Sequence, residues 1–154
     1  MNTSTPQLER ALRHHQMGQL DTAERMYREI IHDDPRHADA LHLLGIALHQ
    51  RRNNQAAVDY ITRAIAVDAS MAVFHSNLGA AYQALGEVDE AVKCFRDAIR
   101  VAPDDVDAWC NLAAVLQNAG RCEEAAAAYR EVLRLDPMSV FSVQFSVFSE
   151  SIPN

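Results

Sequence analysis

Carboxamide side chains recur 34 residues apart in the second half of the chain, where Asn77 precedes Asn111 and Gln83 precedes Gln117. Each carboxamide offers two N–H donors and one carbonyl acceptor. That set matches the C=O and N–H groups of an extended peptide backbone without demanding particular side chains of the peptide. The chemistry that these residues favour is recognition of a polypeptide.

The histidines are the other side chains that could support chemistry. His42 and His49 are seven residues apart, which on one helix separates them by about 10.5 Å along the axis, so one metal ion cannot bridge them. His15 and His49 are 34 residues apart and could approach each other, but the pattern supplies no third ligand. The sequence also contains no glycine-rich phosphate loop, nucleophile elbow or cysteine–histidine arrangement. We therefore predict no metal site, no cofactor and no enzymatic activity.

The elements that position these side chains follow the same period. Two columns of small residues recur on two different predicted helices, which indicates that the helices touch there. The columns are Ala11, Gly45, Gly79 and Ala113, and, twelve residues later, Ala23, Ala57, Ala91 and Ala125. A period near 34 is typical of helical repeat arrays, in which each unit buries its apolar face against its neighbours. The sequence predicts an all-α chain with helices at 5–17, 20–33, 38–51, 54–67, 72–84, 88–101, 106–118 and 122–135.

The turns carry matching signals, with two exceptions in the second unit. Glycines follow the first helices of the other units, whereas the second unit has Arg51, Arg52, Asn53 and Asn54. We expect an asparagine to take the left-handed conformation there. Ala69 stands where the other second helices meet a proline. The missing proline favours fraying or an extension of about one turn, whereas Asp68 and Ser70 still supply turn and N-cap chemistry there.

The fourth unit reads Trp109, Leu112, Ala113, Leu116, Gly120, Ala125, Tyr129, Val132 and Pro137. The third reads Leu78, Gly79, Tyr82, Gly86, Ala91, Phe95, Ala98 and Pro103. These residues resemble the consensus of the tetratricopeptide repeat family. The resemblance implies an α-solenoid of antiparallel helix pairs wound into a right-handed superhelix. Its domain would cover 1–137, with four units at about 4–37, 38–71, 72–105 and 106–139.

In that family the first helix of each unit lines a concave groove that holds a peptide or a partner helix, and the resemblance implies the same groove here. The residues that it assigns to partner binding are Leu12, His42, Ile46, His49, Gln50, Asn77, Gln83, Asn111, Gln117 and Asn118. Asn77 and Asn111 resemble two rungs of the asparagine ladder in O-linked N-acetylglucosamine transferases. The alternative is that both asparagines satisfy only local helix or water contacts.

A second groove mode of the family is the carboxylate clamp, which holds the acidic tail of a chaperone with cationic side chains. The groove positions here hold no lysine or arginine, and Glu9, Asp39 and Asp107 would repel a carboxylate. We therefore expect a ligand of another kind.

The charge balance restricts the class of partner. The net charge is −7 and the sequence pI is about 5.4, so the surface repels phosphate backbones and nucleic acid is excluded as a partner. No apolar run approaches the roughly 18 residues of a membrane span, and the N-terminus has no signal-peptide pattern. We predict a cytoplasmic protein without membrane contact.

The repeat pattern stops at Pro137, and residues 138–154 form a tail outside it. Phe141, Phe145 and Phe148 share one helical stripe, so we expect a short capping helix, with a strand-like or disordered end and an exposed assembly face as alternatives. For function we favour a protein-interaction adaptor that binds a peptide or partner helix in the groove. The alternatives are the substrate-docking arm of a glycosyltransferase-like or other transferase, and a scaffold that forms homo-oligomers through its groove or tail.

Overall fold

The computed structural model describes residues 4–139 of the chain, and within that range it contains eight α-helices and no strand. The helices are α1 (Ser4–Gln16), α2 (Leu20–Asp33), α3 (Ala38–Gln50), α4 (Asn54–Val67), α5 (Ala72–Leu85), α6 (Val88–Val101), α7 (Val106–Asn118) and α8 (Cys122–Leu135), followed by a single 3-10 turn at Pro137–Ser139. The all-α prediction is confirmed.

The helices pair in chain order. Each helix packs against the helix before it and the helix after it, and each of α1, α3 and α5 also touches the next odd-numbered helix. The odd-numbered helices therefore lie side by side, and we call the surface that they form the first-helix face. This arrangement is an α-solenoid of helix pairs, as predicted.

Small residues allow the two helices of a pair to approach closely. A Cβ atom added to Gly45 would lie 2.4 Å from Ile61 Cγ1, and one added to Gly79 would lie 2.7 Å from Phe95 Cε1. Both distances are far below van der Waals contact. Glycine at these two positions is thus required by the bulky side chain that crosses over it from the second helix of the pair.

The second helix of every pair ends at an equivalent position, and α4 is no exception. α4 neither frays nor runs on, because Asp68 closes the chain into a turn directly after Val67, as the predicted bounds of 54–67 require. The Asp68 carboxylate accepts hydrogen bonds from the backbone N–H of Ser70 at 2.9 Å and from its hydroxyl at 2.6 Å. Asp34 and Asp136 accept the equivalent backbone N–H bonds beside Pro35 and Pro137, so this turn forms with or without the proline.

The turn inside the second pair also differs from expectation. Gly18, Gly86 and Gly120 have φ values of 73°, 79° and 73°, and the equivalent residue of the second pair is Arg52, with φ of 62°. The asparagine prediction was therefore wrong, and a long side chain holds the left-handed conformation. The tight connection to α4 imposes this geometry, since Asn53 N–H donates to the Leu48 carbonyl at 2.9 Å.

Two clusters of buried side chains form the core. One runs from Ala11 in α1 to Cys94 in α6, and the other from Ala91 in α6 to Ala128 in α8. Tyr82 packs against both. Burial is therefore distributed along the array, as expected for repeats that contact only their neighbours.

The capping helix predicted for the tail rests on Phe141, Phe145 and Phe148, which lie outside the described residues. The division into four units with a domain at 1–137 stays a prediction.

Candidate functional site

All ten residues predicted to bind a partner lie on the odd-numbered helices α1, α3, α5 and α7, which form the first-helix face. Leu12 and Ile46 are half-buried on α1 and α3. The equivalent residues of α5 and α7 are the smaller Ala80 and Ala114, also half-buried. The apolar floor of the face is thus bulky in its first half and shallow in its second.

His42 is the most buried of the predicted residues, with 7% of its surface exposed. Its ring packs against Phe74 with a centroid distance of 4.3 Å, and the Asn77 amide N–H donates to its Nε2 at 2.9 Å. Burial lowers the pKa of His42 to about 4, although the nearby Asp39 carboxylate opposes that shift. His42 is therefore a neutral acceptor that links α3 to α5, with its proton on Nδ1.

Three further predicted residues bond within the chain. Gln50 Oε1 lies 3.0 Å from His15 Nε2, which joins α1 to α3. His49 Nδ1 lies 2.7 Å from the side-chain oxygen Oδ1 of Asn54. Gln117 accepts a hydrogen bond from the Tyr129 hydroxyl at 2.8 Å, and His15 meets the Tyr27 hydroxyl in the equivalent place at 3.1 Å. These contacts orient the side chains and occupy part of their hydrogen-bonding capacity.

The two bonds between odd-numbered helices share one register. In both His15–Gln50 and His42–Asn77, the second residue follows the first by 35 positions. The same register pairs Ser76 with Asn111, and Gln83 with Asn118, across α5 and α7. Neither of these pairs forms a hydrogen bond in the structure, so the polar bridges stop at α5.

Polar groups at the junction of α5 and α7 are left without a hydrogen-bond partner within residues 4–139, because no bridge forms between these two helices. Gln83, Asn111 and Asn118 are exposed, and their carboxamides have no hydrogen-bond partner among residues 4–139. Ser76 Oγ, on the same junction, is a buried polar atom without a partner in the described part of the chain. Ser76 is not among the ten residues that the sequence assigned to partner binding. The 35-residue register would have pointed to it, but that register emerges only from the packed helices.

No group of three or more His, Cys, Asp or Glu side chains within 4–139 is arranged to hold a metal ion. None of the helices in that range combines the length and apolar character needed to span a membrane.

Comparison with known proteins agrees with this architecture. A family model described as tetratricopeptide repeat matches residues 8–72 and 77–139. Among solved structures, the crystal structure of MamA superposes with a TM-score of 0.84 at 24% identity, covering 90% of this chain and 81% of that one. MamA from Desulfovibrio magneticus RS-1 (41-end) gives 0.82 at 16% identity, covering 91% and 79%.

The first repeat domain of Spaghetti (RPAP3), bound to the HSP90 peptide SRMEEVD, gives a TM-score of 0.73 at 21% identity and covers 76% of this chain and 93% of that one. These likenesses concern the fold. The family model covers well over half of the chain, in register with the helix pairs described above. The chain therefore belongs to the tetratricopeptide repeat family.

Proposed function

We propose that this chain is a non-enzymatic adaptor that binds an extended segment of another protein along its first-helix face. The observation that carries the proposal is the set of carboxamides of Gln83, Asn111 and Asn118 at the junction of α5 and α7, which find no partner in the described part of the chain. Exposed carboxamides at matching heights on adjacent helices can donate to and accept from a peptide backbone. We propose that the peptide binds mainly at this junction. His42, Asn77 and Gln50 instead form hydrogen bonds that fix the packing of α1, α3 and α5.

The charge of the face selects the kind of segment. Asp39 and Asp107 are exposed at equivalent positions on α3 and α7, and they would repel a carboxylate brought between them. Val73, with 47% of its surface exposed, stands between them on α5 and offers an apolar contact. The ligand is therefore a neutral or basic segment, unlike the acidic SRMEEVD peptide in the RPAP3 complex.

A displayed library of random peptides provides the test. Peptides selected on the wild-type chain are synthesised, and their affinities are measured by fluorescence anisotropy against wild type and against the triple variant Gln83→Ala, Asn111→Ala, Asn118→Ala. We expect the triple variant to bind at least tenfold more weakly, since each lost hydrogen bond contributes about 0.5–1.5 kcal/mol.

The matched control is the double variant Gln55→Ala, Thr62→Ala, whose two exposed side chains lie on α4 rather than on the first-helix face. It should bind as wild type does, and circular dichroism should show the same helix content for all three proteins. Selected peptides that bind the triple variant as tightly as wild type would overturn the proposal. The two alternatives are a substrate-docking arm, in which a transferase substrate occupies this face, and a self-assembling scaffold, in which a second copy binds this face or the tail. Light scattering over a range of protein concentrations tests the scaffold, because binding of a second copy would raise the measured mass as the concentration rises.

A further inference from the structure

A depression lies between α6 and α8, with α7 as its floor, on the side of the solenoid away from the first-helix face. Its volume is about 440 Å³, within the range of small ligand sites. Ile99, Trp109, Leu112 and Ala128 supply apolar walls. Because Trp109 and Leu112 point away from Asn111 around the axis of α7, the depression is separate from the first-helix face.

The second helix pair shows what occupies the equivalent place. Tyr60 lies on α4 and packs against the core cluster that contains Ile31 and Leu41. The Arg28 guanidinium, on α2, donates to the Tyr60 hydroxyl at 2.9 Å and stands 5.6 Å from the centre of its ring. A tyrosine thus fills the space between two second helices, and an arginine holds its hydroxyl.

The fourth helix pair keeps the arginine of this arrangement and lacks the tyrosine. Two other residues also differ, since Arg63, which lies 5.1 Å from the centre of the Tyr60 ring, corresponds to Glu131, and Leu41 corresponds to Trp109. Two periods of 34 residues carry Arg28 to Arg96 and Tyr60 to Ala128. The floor shows the effect of the missing ring. Ile31 is buried under the second pair, whereas its equivalent Ile99 is only half-buried. The depression therefore lies at the place that Tyr60 fills in the second pair, with Trp109 on its floor where the second pair has Leu41.

The rim of the depression has one charge that the described residues do not compensate. Glu124 pairs with Arg96 at 2.8 Å and with Arg121 at 2.8 Å, and Glu131 pairs with Arg134 at 2.7 Å. Arg130, by contrast, has no hydrogen-bond or ion-pair partner within residues 4–139. The uncompensated charge is positive, so an acidic residue beside the entering side chain would be attracted.

We propose that this depression binds a tyrosine side chain from an acidic segment of a partner protein. The phenol ring lies on Ile99, Trp109 and Leu112, in the place that Tyr60 takes in the second pair. Its hydroxyl accepts a hydrogen bond from Arg96, which keeps spare N–H donors after pairing with Glu124. Arg130 attracts the neighbouring carboxylate. This site adds a second interaction surface to the adaptor proposed above and does not depend on peptide binding at the first-helix face.

NMR titration of the full chain with the blocked tripeptide Glu-Tyr-Glu tests the proposal. Trp109 is the only tryptophan of the chain, so its indole N–H resonance reports directly on the depression. We expect a saturable shift of that resonance. Glu-Phe-Glu, which lacks the hydroxyl, and Lys-Tyr-Lys, which reverses the charge, should each bind about fivefold more weakly, as expected for loss of one exposed polar contact.

Two variants at one position separate a specific site from a general apolar surface. Ala128→Tyr restores the internal ring and should abolish the shift while raising the melting temperature. Ala128→Cys, which copies the natural Cys94 of the third pair, should leave binding intact. Should Ala128→Tyr not fold, Arg96→Gln, expected to bind Glu-Tyr-Glu about fivefold more weakly, serves instead. No saturable shift, equal binding of all three tripeptides, or unchanged binding by Ala128→Tyr would each overturn the proposal.

Discussion

At the scale of single residues, His42 couples the first-helix face to pH. Its neutral ring accepts a hydrogen bond from Asn77 and packs on Phe74, and protonation would remove the acceptor and place a charge in a buried site. The pKa is about 4 in the folded chain and about 6.5 in an unfolded one. Between these values the unfolded chain binds more protons than the folded chain, so stability falls as pH decreases from about 6.5 through 4.

The prediction is that His42 contributes up to about 3 kcal/mol to this loss of stability. Urea unfolding of wild type and of His42→Gln, measured across that pH range, checks it. The glutamine can still accept from Asn77 but cannot titrate, so the variant should show a flatter dependence of unfolding free energy on pH. His32→Gln, at an exposed position on α2, is the control and should follow wild type. Parallel curves for His42→Gln and wild type would contradict the assignment.

Arg52 is a second residue with a measurable effect on stability. It holds φ of 62° where the other helix pairs have glycine, and a side chain in the left-handed region costs about 1–2 kcal/mol. Arg52→Gly should therefore raise the free energy of unfolding, by about 0.5–1 kcal/mol once the greater freedom of glycine in the unfolded chain is subtracted. Thermal unfolding followed by circular dichroism measures it. The reverse change, Gly86→Arg, should destabilise, and a stabilised Gly86→Arg would refute this explanation.

At the scale of helices, the crossing of α5 and α6 depends on the absence of one methyl group. Gly79→Ala would place a Cβ atom 2.7 Å from the Phe95 ring, and relief requires the ring or the helix to move. We expect a loss of about 1–3 kcal/mol, as for other overpacked cores. The double variant with Phe95→Leu should recover part of the loss, and chemical denaturation of the four proteins of this cycle measures the coupling. Additive effects would show that the two residues do not interact.

The helices themselves could be predicted almost completely from the sequence. The predicted α4 at 54–67 and α6 at 88–101 agree with the structure at both ends, because caps, turns and apolar periodicity are local properties. The conformation of Arg52 was not predictable, since the surrounding turn overrides residue preference. The hydrogen bond between His42 and Asn77 could not be predicted from the sequence either, because it depends on how far α5 is displaced along α3. The residues predicted to bind a partner lie on the odd-numbered helices, and only the packed helices distinguish the carboxamides that bond within residues 4–139 from those that do not.

At the scale of the whole molecule, stability is divided between two clusters joined at α6. Leu44 is fully buried in the cluster of α1 to α6, and Leu116, with 1% exposed, lies in the cluster of α6 to α8. In a solenoid each pair is stabilised by its immediate neighbours. A cavity in one cluster should therefore loosen that end of the array more than the other, a pattern of local opening that a single central core would not produce.

Native-state hydrogen exchange tests this division with Leu44→Ala and Leu116→Ala. Each deletion should cost about 2–5 kcal/mol. Leu116→Ala should lower amide protection mainly in α7 and α8, and Leu44→Ala mainly in α3 and α4, so each variant serves as the matched control for the other. Equal loss of protection in all helices for both variants would mean that the array unfolds as one cooperative unit. The expected result has a functional consequence. Asn111 and Asn118, whose carboxamides find no partner among residues 4–139, lie on α7, and α7 packs into the smaller of the two clusters. A ligand bound across α5 and α7 should then restore amide protection in α7 and α8 of Leu116→Ala, since a ligand that binds only the folded helices stabilises them against local opening.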